Sequence, residues 1–493
     1  MLASVCRSPC VLQSLIPRST WKYGILNLVQ RQRPKICTHT KRYRRFLRKT
    51  STAANIQEGT LEDGKETNIF KVLRDRGLLD ACTNEALVDE TSLLPVRVYC
   101  GFDPTADSLH IGNLLGIIVL SWFQKYGHTP VALIGGATGR VGDPSGKSSE
   151  RPMLDDATID SNSQAIERTI RSILSNKVWQ GESLIVVNNL EWYSRMSFLE
   201  FLRDVGKFSR MGTMLAKDSV KSRLASEGGI SFTEFSYQLL QGYDFVHLFR
   251  HHGVSVQVGG SDQWGNITAG TDLIRRLEPA ATVSGMTFPL LLKSDGTKFG
   301  KSEQGAIWLS AGRLSPYKFY QYFLGVDDAD VIRLLRMLTF LPLSEISELE
   351  REMNTTEYVV NTAQRRLAEE MTRYVHGVQG LSEAQAATNI LKPGLETELD
   401  ATALRTMVGL VPSAELPLEE VVGQSLVQLV VKVGLQPSKG ATKRLIQGGG
   451  LRMNNNKITD DETTVTANDL VDGSLLLLAC GKKNKLLLTV TDS

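Results

Sequence analysis

The chain has 493 residues, 42% of them hydrophobic and 22% charged, a composition typical of a globular protein with roughly two to four domains. No apolar run reaches the roughly 18 residues that a membrane span needs, which argues against a transmembrane protein. The six cysteines include no CxxC pair, so the sequence indicates neither a zinc site nor a disulfide framework.

The first 57 residues differ in charge from the rest of the chain. They contain twelve Lys or Arg and no Asp or Glu, a pattern typical of a mitochondrial presequence. A secretory signal is disfavoured because no continuous apolar segment follows the first basic residues, whereas a basic RNA-binding arm remains an alternative. Without this segment the net charge changes from +3 to −9, with 44 basic and 53 acidic residues. Any RNA-binding surface in the body must therefore be a local patch.

An extended apolar run at Val96–Tyr99 breaks into a turn and then becomes a helix that continues to Tyr126. Ser108 stands where the N-cap of this helix is expected. His110 and Asn113 lie three residues apart in the first turn and face one way, beside unpaired backbone amides and the positive end of the helix dipole. The unit is therefore predicted to bind a nucleotide.

The next predicted strand, Pro130–Gly136, leads into a glycine-rich loop at Gly142–Ser148. The loop has one residue too few between its glycines for a Walker A motif, so we reject a P-loop. Asp143 follows the end of a buried strand, where open α/β sheets place ligand-binding groups. A surface loop without a binding role is the alternative.

A basic, amphipathic segment at Phe198–Leu224 follows a predicted helix at Asp155–Asn176 and a strand at Ser183–Asn189. It predicts an apolar face for a partner helix and exposed cations near nucleic acid. The cations are Lys207, Arg210, Lys217 and Lys221. An ordinary solvated helix face is an equally open alternative.

The predicted helix Phe232–Phe249 carries Tyr237, Gln241 and Asp244 on one face, at positions i, i+4 and i+7. The helix is apolar over much of its girth and should be largely buried, so these polar groups need partners. A structural network could satisfy a single pair. Three aligned polar groups indicate instead a small ligand with several hydrogen-bonding groups.

Two further segments complete the candidate site. The strand within Gly253–Asn266 ends in two glycines, which let a ligand approach the backbone, and Asp262 and Gln263 follow them. An acidic residue in this place can hold ribose hydroxyls. The later segment LLLKSDGTKFGKS places Lys298 and Lys301 in a mobile, glycine-containing loop.

From Ser315 to about Val411 the strand pattern stops and helical periodicity dominates, and a loose segment follows. Residues 424–490 then contain two short helices, glycines, a short strand and a basic hairpin, which together resemble an S4-type RNA-binding domain. The basic side chains expected to face phosphates there are Lys439, Lys443, Arg444, Arg452 and Lys457.

Taken together and in this order, these segments resemble the bacterial-type tyrosyl-tRNA synthetases of class I, and with the presequence they resemble the mitochondrial members. HIGN at 110–113 is similar to the HIGH signature, and KFGKS at 298–302 is similar to KMSKS. The resemblance implies an α/β protein: a Rossmann-like parallel-sheet catalytic domain, a helical anticodon-binding domain and a small α+β S4-like domain. The predicted boundaries are 1–57 for the presequence, 68–312, 313–411 and 424–490 for the three domains.

The resemblance also implies a reaction. Tyrosine and ATP would form tyrosyl-adenylate and pyrophosphate, and the tyrosyl group would pass to the 3′ end of tRNA(Tyr) in the mitochondrial matrix. ATP is then a substrate, and Mg²⁺ is expected to bind through its phosphates rather than through a protein site, so no residue is assigned to a metal. A homodimer without membrane attachment is expected.

Family motifs assign Tyr99 and Asp244 to the phenolic hydroxyl. The other tyrosine-binding residues implied are Asp143, Tyr237 and Gln241 at the ammonium group and Gln263 near the carboxylate. The ATP-binding residues implied are Asp103, Thr105, His110, Asn113, Gly259, Gly260, Asp262, Lys298 and Lys301, of which His110, Asn113, Lys298 and Lys301 are catalytic. Asn113 replaces the second His of HIGH, but its amide still donates a hydrogen bond.

Three alternatives remain open. A catalytically silent relative could serve in RNA binding or splicing, although the intact His110, Lys298 and Lys301 argue against lost activity. An adenylyltransferase could share HIGN but would lack the S4-like tail and the polar stripe of the buried helix. A tryptophanyl-tRNA synthetase is disfavoured because Tyr99 and Asp244 form a phenol-binding pair.

Overall fold

The computed structural model describes residues 68–89, 94–147, 149–150, 152–175, 183–302, 305–390, 404, 411–481 and 484–491. The described residues belong to one compact unit, Glu66–Ser493. The presequence predicted at residues 1–57 lies outside the described residues.

A six-stranded sheet forms the first part of this unit. Its strands are β1 (Ala81–Cys82), β2 (Arg97–Phe102), β3 (Thr129–Ile134), β4 (Ile185–Asn188), β5 (Val254–Gly260) and β6 (Ser284–Phe288). The spatial order is β1-β6-β5-β2-β3-β4, and all neighbours are parallel except β1 and β6. The strand order reverses between β2 and β5, and ligands bind open α/β sheets at such a switch point.

Helices precede and connect the strands of this sheet along the chain. They are α1 (Ile69–Asp75), α2 (Ala86–Asp89), α3 (Ile111–Lys125), α4 (Asp156–Ser175), α5 (Leu190–Tyr193), α6 (Phe198–Asp204), α7 (Met211–Leu215), α8 (Asp218–Leu224), α9 (Phe232–His252) and α10 (Trp264–Leu277). Successive side chains of β2 enter different cores: Val98 and Cys100 join one, whereas Tyr99 joins the other. This alternation follows from the period of a strand, and it directs Tyr99 toward α9.

The segment Phe198–Leu224 folds as three short helices, α6 to α8, and leaves Phe198, Leu199 and Met211 exposed by 63%, 76% and 58%. Lys217 was predicted to be an exposed cation, and this prediction is wrong because the side chain is half-buried. Its ammonium group donates to the Gly265 carbonyl at 2.6 Å, and burial lowers its pKa to about 8. Lys217 therefore ties this segment to the start of α10.

Helix α9, which carries the polar stripe, is fixed at its N-terminal end. The Ser231 hydroxyl caps the helix by accepting from the Glu234 amide at 3.2 Å. The Glu234 carboxylate also accepts two hydrogen bonds of 2.7 Å from the Arg223 guanidinium, and both side chains are buried. Removing one member of a buried ion pair typically costs several kcal/mol, so this pair locks α8 against α9.

A two-stranded hairpin, β7 (Lys301–Ser302) and β8 (Gly305–Ala306), leads to the helical part. Its helices are α11 (Pro316–Leu324), α12 (Asp328–Leu338), α13 (Leu343–Glu352) and α14 (Thr362–Ile390), the last with a break at Gly377. The buried Arg76 guanidinium of the N-terminal segment donates to the carbonyls of Arg336, Thr339 and Leu341. Apolar side chains of the helical part also join the core on one face of the six-stranded sheet.

The C-terminal part contains a five-stranded sheet and two helices. Its elements are β9 (Ser413–Pro417), α15 (Leu426–Lys432), α16 (Lys439–Gln447), β10 (Leu451–Met453), β11 (Asn456–Lys457), β12 (Leu475–Cys480) and β13 (Asn484–Thr491). The strand order is β11-β10-β12-β13-β9. The sequence predicted a loose segment before Gln424. This prediction is wrong at Ser413–Pro417, because these residues form a strand that pairs in parallel with β13.

Within the described ranges, no helix has both the length and the apolar composition that membrane crossing requires.

Candidate active site

A continuous hydrogen-bond network lies at the carboxyl ends of β2, β3 and β4. The Tyr237 hydroxyl donates to one carboxylate oxygen of Asp103 at 2.8 Å, and the Thr138 hydroxyl donates to the other at 2.7 Å. The Asn189 amide donates to the Thr138 hydroxyl at 3.0 Å and to the Asp244 carboxylate at 3.1 Å. The network thus connects Tyr237 and Asp244, two members of the predicted stripe, through residues of three other segments.

A glycine permits this close approach. A Cβ atom on Gly135 would lie 1.9 Å from the Asp103 Oδ1 atom and 2.4 Å from the Thr138 hydroxyl. Any other residue at this position would displace both side chains. The glycine after β3, which the sequence suggested only as a strand end, is therefore required for the network.

Asp244 is the most deeply buried acid of the site, with 1% of its surface exposed. Its carboxylate accepts from the Trp192 indole N–H at 3.0 Å as well as from Asn189. Burial raises the pKa of Asp244 to about 7, although these donors act in the opposite direction. The Asp244 carboxylate is therefore a hydrogen-bond acceptor that is held away from water and contacted by two protein donors.

Tyr99 lies beside Asp244 and packs on Phe245, with 5.4 Å between the ring centroids. Burial and then the charge of Asp244 raise the pKa of the Tyr99 hydroxyl well above its usual value. Among the described residues this buried hydroxyl has no hydrogen-bond partner. An unsatisfied buried hydroxyl costs about 1–3 kcal/mol, so it marks a place where a polar ligand group would be favourable.

A second acidic centre forms around Asp143. Its carboxylate accepts from the Ser145 backbone amide at 3.0 Å, from the Gln263 amide at 2.8 Å and from the Asn266 amide at 3.3 Å. The Gln263 carbonyl oxygen in turn accepts from Asn266 at 3.2 Å. Asp143 and Gln263, which the sequence placed on different segments, are thus in contact, while Gln241 is half-buried on α9.

His110 itself is the N-cap of α3, so the prediction of Ser108 as N-cap is wrong. The His110 Nδ1 atom accepts from the Gly112 amide at 3.0 Å, and the Asn113 side-chain oxygen accepts from the His110 amide at 3.1 Å. The Ser108 hydroxyl instead donates to the Leu109 carbonyl.

This cap has a chemical consequence for both HIGN side chains. Because Nδ1 of His110 is an acceptor, its Nε2 carries the proton in the neutral ring and can donate to a phosphate. Desolvation and, to a smaller extent, the nearby Lys147 lower the pKa of His110. Since the Asn113 oxygen is used by the cap, its NH₂ group is the part that remains for a ligand.

The two signature segments are joined through the backbone. The Ile111 amide donates to the Ile307 carbonyl, and the Ile307 amide donates to the Gly300 carbonyl, both at 3.0 Å. Gly300 has a φ of +91°, and a Cβ atom there would lie 2.0 Å from the Ile111 side chain. Glycine is therefore required where KFGKS meets HIGN.

Phe299 anchors the same loop, since it is buried and its ring lies 5.3 Å from that of Tyr322. Lys298 beside it is exposed, and Lys301 begins β7. Of the remaining predicted ATP-binding residues, Asp103 and Thr105 follow β2, Gly259 and Gly260 end β5, and Asp262 lies in the short 3₁₀ helix that comes next. These positions surround the same edge of the sheet.

Four side chains in these networks were missed from the sequence: Thr138, Asn189, Trp192 and Asn266. Asn189 directly follows β4, and the carboxyl end of a parallel strand was the available signal for it. Nothing local in the sequence marks the other three, because their role depends on contacts with distant segments.

Of the five basic residues predicted to face phosphates in the C-terminal part, three are exposed and two interact with other protein groups. Lys439, Arg444 and Lys457 are exposed, whereas Lys443 lies 3.0 Å from Asp461 and 3.2 Å from Glu462. The half-buried Arg452 donates to the Asn455 carbonyl. The first three cations are therefore the more accessible members.

Cys82, Cys100 and Cys480 are buried free thiols. Among the described residues, no three His, Cys, Asp or Glu side chains are grouped so as to hold a metal ion.

Comparison with known proteins adds to this geometry. Residues 92–391 match the family model of tRNA synthetases class I (W and Y), and residues 404–488 match the tyrosine–tRNA ligase SYY-like C-terminal domain. The chain therefore belongs to the class I tRNA synthetases for tryptophan and tyrosine.

The curated relatives narrow the family further. The chain is 56% identical over 428 residues to a chloroplastic/mitochondrial tyrosine–tRNA ligase of Arabidopsis thaliana, covering 86% of this chain and 84% of the relative. It is 53% identical over 426 residues to the tyrosine–tRNA ligase of Protochlamydia amoebophila, covering 86% and 100%. Within the class I family, the chain belongs to the tyrosine–tRNA ligases.

A solved structure supports the fold. A C-terminally truncated mitochondrial tyrosyl-tRNA synthetase of Aspergillus nidulans is similar with a TM-score of 0.60 and 32% identity, over 67% of this chain and 96% of that chain. The expected α/β class is confirmed, with a mostly parallel catalytic sheet and a small C-terminal domain.

The raised pKa of Asp244 predicts an effect on stability. In the folded protein Asp244 holds its proton to about pH 7, whereas the unfolded chain releases it near pH 3.8, so this group lowers the free energy of unfolding as pH rises between these values. The full difference is on the order of 4 kcal/mol. Asp244→Asn should remove this slope.

Urea unfolding at pH 5 and pH 8 measures the effect. The stability of Asp244→Asn relative to the parent should be greater at pH 8 than at pH 5. Asp295→Asn, which changes an exposed carboxylate, should leave the slope between these pH values unchanged. Equal slopes for Asp244→Asn and the parent protein would show that Asp244 does not titrate in this range.

Proposed function

We propose that the buried network forms the tyrosine pocket of this tyrosine–tRNA ligase, with Tyr99 and Asp244 at the phenolic hydroxyl. The observation that carries the proposal is the buried Tyr99 hydroxyl, which lacks a partner among the described residues and lies beside a buried carboxylate. A phenol can donate to Asp244 and accept from Tyr99 at once. Phenylalanine can do neither.

We assign the ammonium group of tyrosine to Asp143, Tyr237 and Gln241. A buried carboxylate attracts a cation, and the Tyr237 oxygen can accept a hydrogen bond while its proton is donated to Asp103. Gln263 contacts Asp143 and is assigned to the region of the tyrosine carboxylate.

In the first step, a carboxylate oxygen of tyrosine attacks the α-phosphorus of ATP. The new O–P bond forms as the bond from that phosphorus to the oxygen bridging to the β-phosphate breaks, and the products are tyrosyl-adenylate and pyrophosphate. No side chain need act as a nucleophile. Catalysis then depends on positioning the two substrates and on stabilising the charge of the departing pyrophosphate.

We assign charge stabilisation to His110, Asn113, Lys298 and Lys301. The capped geometry supports the Nε2–H of His110 and the NH₂ of Asn113 as phosphate donors. The other proposed ATP contacts are Asp103, Thr105, Gly259, Gly260 and Asp262, which surround the switch point between β2 and β5. In the second step, a terminal ribose hydroxyl of tRNA attacks the adenylate carbonyl and AMP leaves.

Mg²⁺ is proposed to arrive with the phosphates of ATP. Small, hard Mg²⁺ usually retains water and binds phosphate oxygens with few protein ligands. Bound Mg²⁺ would neutralise charge on the triphosphate.

We further propose a mitochondrial protein that acts in the matrix, and a homodimer. The basic, acid-free residues 1–57 and the chloroplastic/mitochondrial and mitochondrial relatives support the location. The exposed apolar side chains of α6 and α7, including Phe198, Leu199 and Met211, support a protein interface on the catalytic part.

The C-terminal patch yields a prediction about tRNA. Replacing Lys439, Arg444 and Lys457 together by Ala should raise the KM for tRNA about 10-fold or more at physiological salt, because phosphate contacts supply much of RNA affinity. Pyrophosphate exchange, which needs no tRNA, should be unchanged.

Lys432→Ala is the matched control for this triple variant, because Lys432 is also a cation of the C-terminal part but is paired with Glu420. It should leave the KM for tRNA nearly unchanged. An unaltered KM and salt dependence in the triple variant would remove these three residues from the tRNA interface.

A further inference from the structure

The Trp192 indole makes one contact through its N–H group and another through the face of its ring. The indole N–H donates to the Asp244 carboxylate at 3.0 Å, and the ring face stacks on the imidazole of His247, with 4.2 Å between centroids and 15° between planes. The indole is 7% exposed. Trp192 therefore connects the proposed hydroxyl-binding carboxylate to a residue outside the pocket.

Trp192 belongs to the apolar core that contains Tyr99 and Val131, and the His247 imidazole adds a stacked contact on its ring. His247 follows Asp244 by three residues on α9, so both side chains lie on one side of the helix. A cavity of about 400 Å³ borders Trp192 and His247, and Arg195 and His251 also line it. Without the imidazole, the indole would face a larger space and could leave its hydrogen bond.

We propose that His247 is a positioning residue for tyrosine selectivity: its ring holds the Trp192 indole so that the N–H remains on Asp244. The inference rests on the proposed role of Asp244 at the phenolic hydroxyl. The Trp192 bond occupies one oxygen of the carboxylate and fixes the orientation of the other, to which Asn189 donates. Selectivity for the tyrosine hydroxyl would therefore depend on the stacking of His247 on Trp192, although His247 itself does not contact tyrosine.

The charge state of His247 supports the stack. Burial, and to a smaller extent the neighbouring His251, His252 and Arg250, together lower its pKa to about 4. Glu191, Glu200 and Asp204 also line the cavity. The His247 imidazole is thus neutral at physiological pH. It stacks on Trp192 as an uncharged aromatic ring and places no positive charge near Asp244.

The test compares kcat/KM for tyrosine and phenylalanine in pyrophosphate exchange. His247→Ala and the larger His247→Leu should each lower the tyrosine preference about 3- to 10-fold, a part of the effect of a hydrogen bond to a charged group. The KM for ATP should not change. His247→Phe should restore the preference because it restores a stacked ring.

His251→Ala is the matched control. It removes an imidazole from the same helix that contacts His247 but makes no ring contact with Trp192. Its tyrosine preference should equal that of the parent. A parental preference in both His247→Ala and His247→Leu, or no restoration in His247→Phe, would overturn the proposal.

A double-mutant cycle shows whether His247 acts through the indole N–H. Trp192→Phe keeps an aromatic ring but removes the donor, so adding His247→Ala to it should change selectivity no further. Full additivity of the two changes would refute the coupling.

Asp244→Ala distinguishes failure of the proposed pocket from failure of the positioning role. If Asp244→Ala retains the tyrosine preference, the pocket assignment fails. If Asp244→Ala loses the preference and the His247 variants keep it, only the positioning role of His247 is refuted.

Discussion

Asp244→Ala is expected to lower kcat/KM for tyrosine in pyrophosphate exchange by about 10- to 100-fold, and that for phenylalanine far less. The variant loses a hydrogen bond from the substrate to a charged acceptor, worth about 1.5–3 kcal/mol. Phenylalanine makes no such bond and would leave the buried carboxylate without a ligand donor. Tyrosyl-tRNA synthetases are the standard example of this discrimination, and the contacts of Asp244 give its direction in this chain.

Tyr99→Phe is the milder companion variant. It removes one neutral hydrogen bond, worth about 1 kcal/mol, so the tyrosine preference should fall about fivefold. Circular dichroism should first establish that both variants are folded. If both retain the parental preference for tyrosine, Tyr99 and Asp244 do not bind the hydroxyl.

Lys298→Ala and Lys301→Ala should each slow adenylate formation by about 10²- to 10³-fold, the usual cost of removing one donor to developing charge. The KD for tyrosine should change little. Each lysine would meet its full charge only as pyrophosphate departs, so its contribution belongs to the transition state. Rapid-quench measurement of adenylate formation, with tyrosine binding measured separately at equilibrium, distinguishes the two quantities.

Lys293→Ala provides the control for charge in the same segment, since Lys293 precedes the KFGKS motif and pairs through its backbone with Thr297. Its rate should remain close to that of the parent. Equal losses in tyrosine affinity and in rate for Lys298→Ala and Lys301→Ala would place the lysines in ground-state binding instead.

Sequence patterns predicted the elements that carry the site because the relevant signals are local. Periodicity or turn chemistry within one segment predicts the strand before HIGN, the buried helix with Tyr237 and Asp244, and the glycines that end β5. The mutual contact of Asp143 and Gln263 was beyond such reasoning, since it joins residues of separate loops. Only the resemblance to the family placed both near tyrosine.

The errors also have physical causes. Ser108 has the preferred side chain of an N-cap, yet the helix begins later because His110 and Asn113 satisfy the free amides reciprocally. Lys217 lies in a basic segment but is drawn inward by the Gly265 carbonyl. Trp192 had no local signal, because its role depends on the fold bringing α5 and α9 together around Asp244.

ATP–pyrophosphate exchange by the full chain, measured with each amino acid in turn, tests the central claim most directly. Tyrosine should support exchange, with tryptophan and phenylalanine lower by about 10²-fold or more, because only tyrosine can both donate to Asp244 and accept from Tyr99. Comparable exchange with tryptophan or phenylalanine would contradict the pocket assignment. No exchange with any amino acid, in a folded protein that still binds tRNA, would favour the catalytically silent RNA-binding relative.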